Sequence, residues 1–98
     1  PPATYYGPVL PGPGFTPAPD LPIIAWVDNH ICGMSTTSLD EQGQVVYTIK
    51  VLAAGAGLAT GCGVPGKTVV FKVGPRFMLA PAPWDNNRPQ RHELSPTL

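Results

Sequence analysis

Hydrophobic and polar residues alternate with a period of two along two stretches of the chain, residues 44–52 and 68–73. Side chains of a β-strand point alternately to its two faces, so this pattern predicts two strands that each bury one face. β-Branched and aromatic residues, which favour strands, dominate both stretches. The side chains predicted to meet in the core are Val45, Tyr47, Ile49, Val51, Val69, Phe71 and Val73.

Turn-forming residues divide the rest of the chain into similar short segments. Asp28-Asn29 suits a two-residue hairpin turn because both residue types tolerate positive φ, and residues 40–43 and 74–75 predict two further turns. The predicted strands are residues 5–10, 23–27, 31–37, 44–52, 68–73, 76–79 and 91–95. About seven short strands at this spacing predict an all-β fold, a single two-sheet β-sandwich spanning residues 1–98.

Prolines are concentrated near the start of the chain, where eight of the 14 lie within the first 22 residues. Residues 1–22 are therefore predicted to form a Pro-rich N-terminal arm and linker, and the irregular residues 86–98 a C-terminal arm. Pro8 has no N–H to donate, so we expect its strand to lie at a sheet edge or to break halfway. The opening Pro1-Pro2-Ala3-Thr4 is typical of a processed mature end or an excised module.

Charge is sparse in this sequence. Only 12% of the residues are charged, against about 25% in ordinary soluble domains, and six basic side chains balance six acidic ones. A neutral surface has no field that attracts nucleic acid, and no apolar run is long enough for membrane insertion. Weak self-repulsion instead favours association with other copies.

The two cysteines, Cys32 and Cys62, are predicted to form a disulfide. Cys32 lies in a predicted strand, whereas Cys62 lies in the loop 53–66, which contains five glycines and needs an anchor. Closing this loop is worth about 3–4 kcal/mol in the chain-entropy model. The alternative is a pair of reduced, buried thiols, and two thiolates without further ligands do not predict a zinc site.

Several blocks of the sequence resemble the immunoglobulin-like or transthyretin-like sandwich repeats of large secreted and surface-anchored bacterial proteins. The blocks are PPATYYGPV, IIAWVDNHICG, QVVYTIKV, GCGVPGKTVVFKV and APAPWDNNRPQRHELSP. The resemblance covers nearly the whole chain, and its most specific part is the order of the two Cys-Gly blocks. It implies that Cys32 and Cys62 are disulfide partners and that the module is a spacer, an adhesive unit or a carbohydrate-contacting unit without catalytic residues.

No residue pattern predicts catalysis, a cofactor or a metal. The two histidines, His30 and His92, have no nucleophilic serine in a recognisable motif, and the spacing of Asp28, His30 and Asp85 is generic. Lys50 falls on the outward face of its strand, which argues against an internal isopeptide bond.

The large aromatic residues are the candidates for contacts with a partner. Tyr5, Tyr6, Trp26 and Trp84 could pack in the core or a subunit interface, or could form a platform for sugar rings. The strand 23–27 is apolar on both sides, so its second face calls for a partner.

These observations predict a secreted or cell-surface structural module, a subunit or repeat of a filament that associates with itself through its terminal arms. The alternative is a carbohydrate-binding or adhesion module that binds a glycan.

Overall fold

Two β-sheets packed face to face form the domain in a computed structural model, which describes residues 1–97. The strands are β1 (Ala3–Pro8), β2 (Pro22–Val27), β3 (His30–Thr36), β4 (Ser38–Leu39), β5 (Val45–Val51), β6 (Thr68–Val73), β7 (Arg76–Phe77), β8 (Ala82–Pro83) and β9 (Gln90–Arg91). The first sheet has the order β4-β5-β1-β9 and the second the order β3-β2-β6-β7, with β8 also pairing with β6. The predicted all-β, two-sheet architecture is confirmed.

The core lies between the inner faces of β5 and β6, as the alternation predicted. Six of the seven predicted core residues are buried, and Val45 is partly buried against the same cluster. The rings of Tyr47 and Phe71 lie 6.3 Å apart between their centroids, so the two sheets meet at these side chains. Tyr5 adds an edge-to-face contact with Phe71 at 5.5 Å.

Long strands match the sequence-based expectation better than short ones do. The predicted strand 68–73 coincides with β6, and β5 is one residue shorter at each end than predicted. β4 and β8 were not predicted, since two residues are too few to show an alternation. The predicted strand 91–95 is reduced to β9 at Gln90–Arg91, followed by a single bridge from Leu94 to Val9.

The strand that contains Pro8 is an interior strand, so the expectation of an edge strand is wrong, whereas the strand predicted over residues 5–10 does end at Pro8. β1 lies between β5 and β9, and Pro8 is its last residue. The N–H groups of His92 and Leu94 donate to the carbonyls of Tyr6 and Pro8, which leaves the His92 carbonyl facing the nitrogen of Pro8. The Tyr47 hydroxyl donates to that carbonyl and replaces the missing backbone donor.

The segments predicted as arms are built into their own domain, which corrects that prediction for the described residues; Leu98 lies outside them. Ala3 and Tyr5 in β1 are fully buried, and Leu94 in the C-terminal segment is equally buried. The Arg76 guanidinium donates to the carbonyls of Pro13 and Thr97 and so ties both segments to β7.

Hydrogen bonds join the two sheets on both sides of the sandwich. On one side the Leu52 N–H donates to the Cys32 carbonyl at 2.8 Å, which links β5 to β3. On the other side the Leu79 N–H donates to the Ser95 carbonyl at 2.6 Å, and the Thr97 N–H donates to the Phe77 carbonyl at 2.9 Å. Backbone hydrogen bonds therefore connect the two sheets at both edges of the sandwich.

Candidate functional site

The disulfide joins a strand to the glycine-rich loop, as predicted. Cys32 and Cys62 are bonded, with their Cα atoms 5.7 Å apart, and both are buried. Ala25 pairs with Gly33 and Trp26 pairs with Ile31, so Cys32 is the extra residue of a β-bulge. A bulge changes the direction in which nearby side chains point. The bond therefore fixes both the loop and the part of the sheet next to Trp26.

Two glycines beside the cysteines make room for this arrangement. A Cβ at Gly33 would lie 2.6 Å from the Lys50 carbonyl oxygen, and one at Gly63 would lie 2.1 Å from the Trp84 indole nitrogen. Side chains at these positions would separate β3 from β5 or displace Trp84. The Cys-Gly blocks therefore reflect close packing, and no sequence pattern indicated that Trp84 is the group that Gly63 accommodates.

Two of the four aromatic contact candidates belong to the core, which corrects the prediction. Tyr5 is fully buried and its hydroxyl donates to the Pro83 carbonyl at 2.7 Å. Trp84 is buried and its indole N–H donates to the Val51 carbonyl at 3.2 Å. Of the four, only Tyr6 and Trp26 retain surface that a partner could contact.

Burial also affects the tyrosines of the core. Loss of hydration raises the pKa of Tyr5 and, more strongly, that of Tyr47, because the charged phenolate is disfavoured away from water. Both hydroxyls donate to backbone carbonyls, so these tyrosines have structural roles.

The outer side of the second sheet is apolar and uncovered by its own chain. In β2, Ile23, Ala25 and Val27 are buried, whereas the outward side chains of Ile24 and Trp26 are only half-buried. The register places them beside outward-facing residues of the neighbouring strands. This outer apolar face consists of Ile24, Trp26, Met34, Val70 and Phe77.

An open groove of about 540 Å³ runs along this face. The rings of Trp26 and Phe77 lie 5.5 Å apart with an interplanar angle of 38°, so they contact each other at an angle rather than stack. The outer groove is lined by Trp26, Asp28, Asn29, Thr68, Val70 and Phe77. It therefore combines two aromatic rings with a carboxylate, an amide and a hydroxyl group.

Asp28 at the outer groove is in an ion pair with one lysine, and a second lysine lies over the Phe77 ring. The Lys67 ammonium lies 2.9 Å from the Asp28 carboxylate. The Lys72 ammonium lies over the Phe77 ring, 5.1 Å from its centroid. This surface can offer hydrogen bonds and aromatic contact, but it has little net charge with which to attract an ion.

The hairpin turn holds the polar part of the groove in place. Asp28 and Asn29 have φ angles of 47° and 65°, as the predicted two-residue turn requires. The pairing of β2 with β6 places the turn beside Lys67, whose ammonium lies 2.9 Å from the Asp28 carboxylate. The turn prediction is confirmed, although the sequence did not indicate that the turn lines a groove.

A second groove, of about 370 Å³, lies where the glycine-rich loop meets β3 and β5. Ile31, Met34, Leu52 and Leu58 line it, and Leu58 is 91% exposed. Apart from Lys50, its lining side chains carry no charge or hydroxyl group. It offers an apolar contact surface without a pattern of polar groups that would identify a ligand.

The remaining polar candidates are dispersed or engaged locally. Asp85 accepts the N–H of Asn87, and Asp40 accepts those of Gln42 and Gln44, as expected of turn residues. Within residues 1–97, no group of three His, Cys, Asp or Glu side chains is placed to hold a metal ion. In the same part of the chain, no helix is long and apolar enough to cross a membrane.

Comparisons of the chain with protein-family models, with curated proteins and with solved structures found no match. The structure itself defines the fold as a two-sheet, all-β sandwich.

Proposed function

We propose that this domain is a non-catalytic structural module of an extracellular assembly, a subunit or repeat of a surface filament or stalk. In this proposal it is related to the immunoglobulin-like or transthyretin-like repeats of secreted and surface-anchored bacterial proteins. The observation that carries the proposal is the position of the two ends of the described chain, which lie at opposite poles of the sandwich.

The register of the strands defines these poles. At one pole, Pro1 accepts a hydrogen bond from Asn86, next to the pair formed by Ala3 and Val51. At the other pole, Thr97 is hydrogen-bonded to Phe77 and Arg76, close to the turn after β6. A strand of six residues spans about 20 Å, and the long axis of the domain measures 37 Å. Modules connected in series through these ends would therefore extend in a line.

The disulfide and the sparse charge support the extracellular, assembled part of the proposal. A buried disulfide is typical of proteins exposed to an oxidising compartment, where it stabilises a small core. Zero net charge and 12% charged residues suit a surface that is packed against other molecules. Because the terminal segments are paired within their own domain, contacts between copies would use other surfaces, such as the outer apolar face.

Small-angle X-ray scattering of two copies joined directly in tandem tests the proposal. We expect a maximum dimension close to twice that of one copy, because the connection runs from pole to pole. A matched tandem with about ten inserted Gly and Ser residues should show a broader distribution of distances. A compact, side-by-side pair in the direct tandem would contradict the stalk geometry.

Electron microscopy of the native material tests the assembly itself. Regular fibres or stalks would support a structural module. Isolated small particles that bind glycans would support the second candidate function, a carbohydrate-binding or adhesion module. That candidate is favoured by one observation, the outer groove with its two aromatic rings and polar rim.

A further inference from the structure

We propose that the outer groove binds a neutral pyranose oligosaccharide, with its sugar rings packed on Trp26 and Phe77 and its hydroxyl groups bonded at the hairpin turn. The inference rests on the second candidate function and names its site and ligand class. It does not depend on the stalk geometry.

The aromatic part of the groove suits the apolar face of a pyranose ring. Phe77 is 45% exposed, Val70 is 38% exposed, and Trp26 is half-buried although the core of the sheet lies on the opposite side. Large exposed apolar side chains cost solubility and contribute little to the core. Two adjoining rings offer a broad surface that C–H groups can contact with little loss of conformational freedom, as aromatic residues do in other interfaces.

The polar rim suits the hydroxyl groups of the same ligand. The carboxylate of Asp28 accepts hydrogen bonds, whereas the Asn29 amide and the Thr68 hydroxyl can both donate and accept. These groups line the groove together with the two rings. A sugar presents an apolar face and a rim of hydroxyl groups, which is the arrangement that this lining complements.

The site is held in shape before any ligand arrives. The positive φ angles of Asp28 and Asn29 define the turn, and Lys67 holds the Asp28 carboxylate. The bulge next to Trp26 contains Cys32, which the disulfide anchors to the loop. Groups that are already ordered lose less entropy when they bind.

Charge and volume favour a neutral saccharide over other ligands. At the groove Lys67 is paired with Asp28, which leaves the Lys72 ammonium over the Phe77 ring as a single uncompensated cation, a small charge for selecting an acidic ligand. The volume of about 540 Å³ lies within the range of about 300–1,000 Å³ that is usual for small-molecule sites. Because the groove is open and has few polar groups, we expect dissociation constants on the order of 0.1–1 mM.

The test is a titration of the whole chain with three neutral hexasaccharides, namely β-1,4-linked glucose, N-acetylglucosamine and mannose. Isothermal calorimetry gives the affinity, and tryptophan fluorescence reports contact at Trp26. We expect at least one of the three to bind, and Trp26→Ala and Phe77→Ala each to weaken it at least about tenfold. Tyr6→Ala is the matched control, since Tyr6 is an exposed aromatic residue on the opposite face of the sandwich.

Folding of each variant is checked by near-ultraviolet circular dichroism, to which the buried ring of Trp84 should contribute in the folded state. If Trp26→Ala does not fold, Phe77→Ala supplies the same test from a different strand. Raising the salt concentration from about 50 mM to about 500 mM should leave the affinity unchanged, because neutral ligands are not screened.

Three results would overturn the proposal. The first is no binding of any of the three oligosaccharides at about 10 mM, and the second is an equal loss of affinity in Tyr6→Ala. The third is a concentration-dependent dimer in sedimentation that Phe77→Asp abolishes, since a second copy would then occupy the groove. A negative titration leaves the tandem scattering result untouched, so failure of the glycan site and failure of the stalk proposal can be told apart.

Discussion

The outer faces of the two sheets differ, although the strands beneath them alternate in the same way. On the first sheet, the outward positions of β1 and β5 are mostly polar, with Thr4 beside Lys50 and Tyr6 beside Thr48. On the second sheet, the corresponding positions of β2 and β6 place Trp26 beside Val70 and Ile24 beside Lys72. The inner faces of both sheets are apolar and buried.

This difference shows that folding requires apolar inner faces but does not require an apolar outer face. One polar and one apolar face are sufficient for a strand in a two-layer sandwich, and the first sheet meets that rule. The second sheet exposes large apolar side chains that contribute little to its own core. Its outer face is therefore where the binding proposed above would remove the most exposed apolar surface from water.

If the inner faces hold the fold together, removal of β1 should lower the stability of the domain more than any other change considered. Deletion of residues 1–7 should prevent folding, because it removes the fully buried Ala3 and Tyr5 and exposes the edges of β5 and β9. Circular dichroism and urea titration measure the result. Deletion of Pro1 and Pro2 alone, which are exposed, is the control and should leave the fold intact. A folded protein after the longer deletion would mean that β1 is a dispensable arm.

The disulfide should contribute the next largest share of stability. The double substitution Cys32→Ser and Cys62→Ser avoids a free thiol and should lower the free energy of unfolding by about 2–5 kcal/mol. Urea titration measures the loss, and hydrogen exchange should show faster opening at Ala54, whose N–H donates to the Gly63 carbonyl in the tethered loop. A loss below about 1 kcal/mol would show that packing alone holds the loop.

Close packing beside the disulfide can be tested within the same loop. Gly63→Ala should cost about 1–3 kcal/mol, because the new Cβ would overlap the Trp84 indole. Gly55→Ala is the matched control, since the new Cβ would lie at an ordinary contact distance, 3.5 Å, from the Ala59 side chain. Equal stability of the two variants, measured by thermal unfolding, would show that Trp84 can move without cost.

Alkaline pH should weaken the inner faces through the buried tyrosines. Burial raises the pKa of Tyr47 and Tyr5 above the unfolded value of 10.0, so the folded chain retains protons that the unfolded chain releases. The stabilisation is complete below pH 10 and is lost as the pH rises above it, by up to about 1.4 kcal/mol per pH unit for each tyrosine. Urea titrations at pH 8, 10 and 11 measure the slope.

Tyr47→Phe should make this slope shallower. At neutral pH the same variant should lose about 1 kcal/mol, because the His92 carbonyl loses its donor. A slope identical to that of the unmodified protein would mean that Tyr47 is not the group that titrates.

The sequence predicted the core where local pattern determines it. The alternation in residues 44–52 and 68–73 placed Tyr47 and Phe71 correctly, because a strand with one buried face must repeat every two residues. The hairpin at Asp28-Asn29 was predictable for the same local reason, since its backbone needs residues that tolerate positive φ.

The positions of the other residues depend on pairings between distant segments, and a local sequence pattern carries no information about such pairings. Trp26 faces the groove because β2 pairs with β6, and Phe77 joins it because β7 pairs with the other edge of β6. Pro8 suggested an edge strand, yet the hydroxyl of Tyr47 supplies the donor that Pro8 lacks. For Trp84 and Tyr5 the sequence left the core and a contact surface both open, and the structure buries them, with Gly63 making room for Trp84 and the Pro83 carbonyl accepting the Tyr5 hydroxyl.

The pair of substitutions with the smallest expected effect on stability compares the two outer faces directly. Val70→Thr makes one central position on the outer face of the second sheet polar. Thr48→Val makes one central position on the outer face of the first sheet apolar. Both side chains are exposed to water and both residue types favour strands, so each change should alter the free energy of unfolding by less than about 0.5 kcal/mol.

Urea titration of the two variants and of the unmodified protein measures this small difference. Val70→Thr retains Trp26 and Phe77, so a glycan that stacks on the two rings should still bind to it. A loss above about 1 kcal/mol in Val70→Thr, with none in Thr48→Val, would show that the outer apolar face acts as a second small core. Trp26 and Phe77 would then serve folding, and their exposure would no longer point to a ligand.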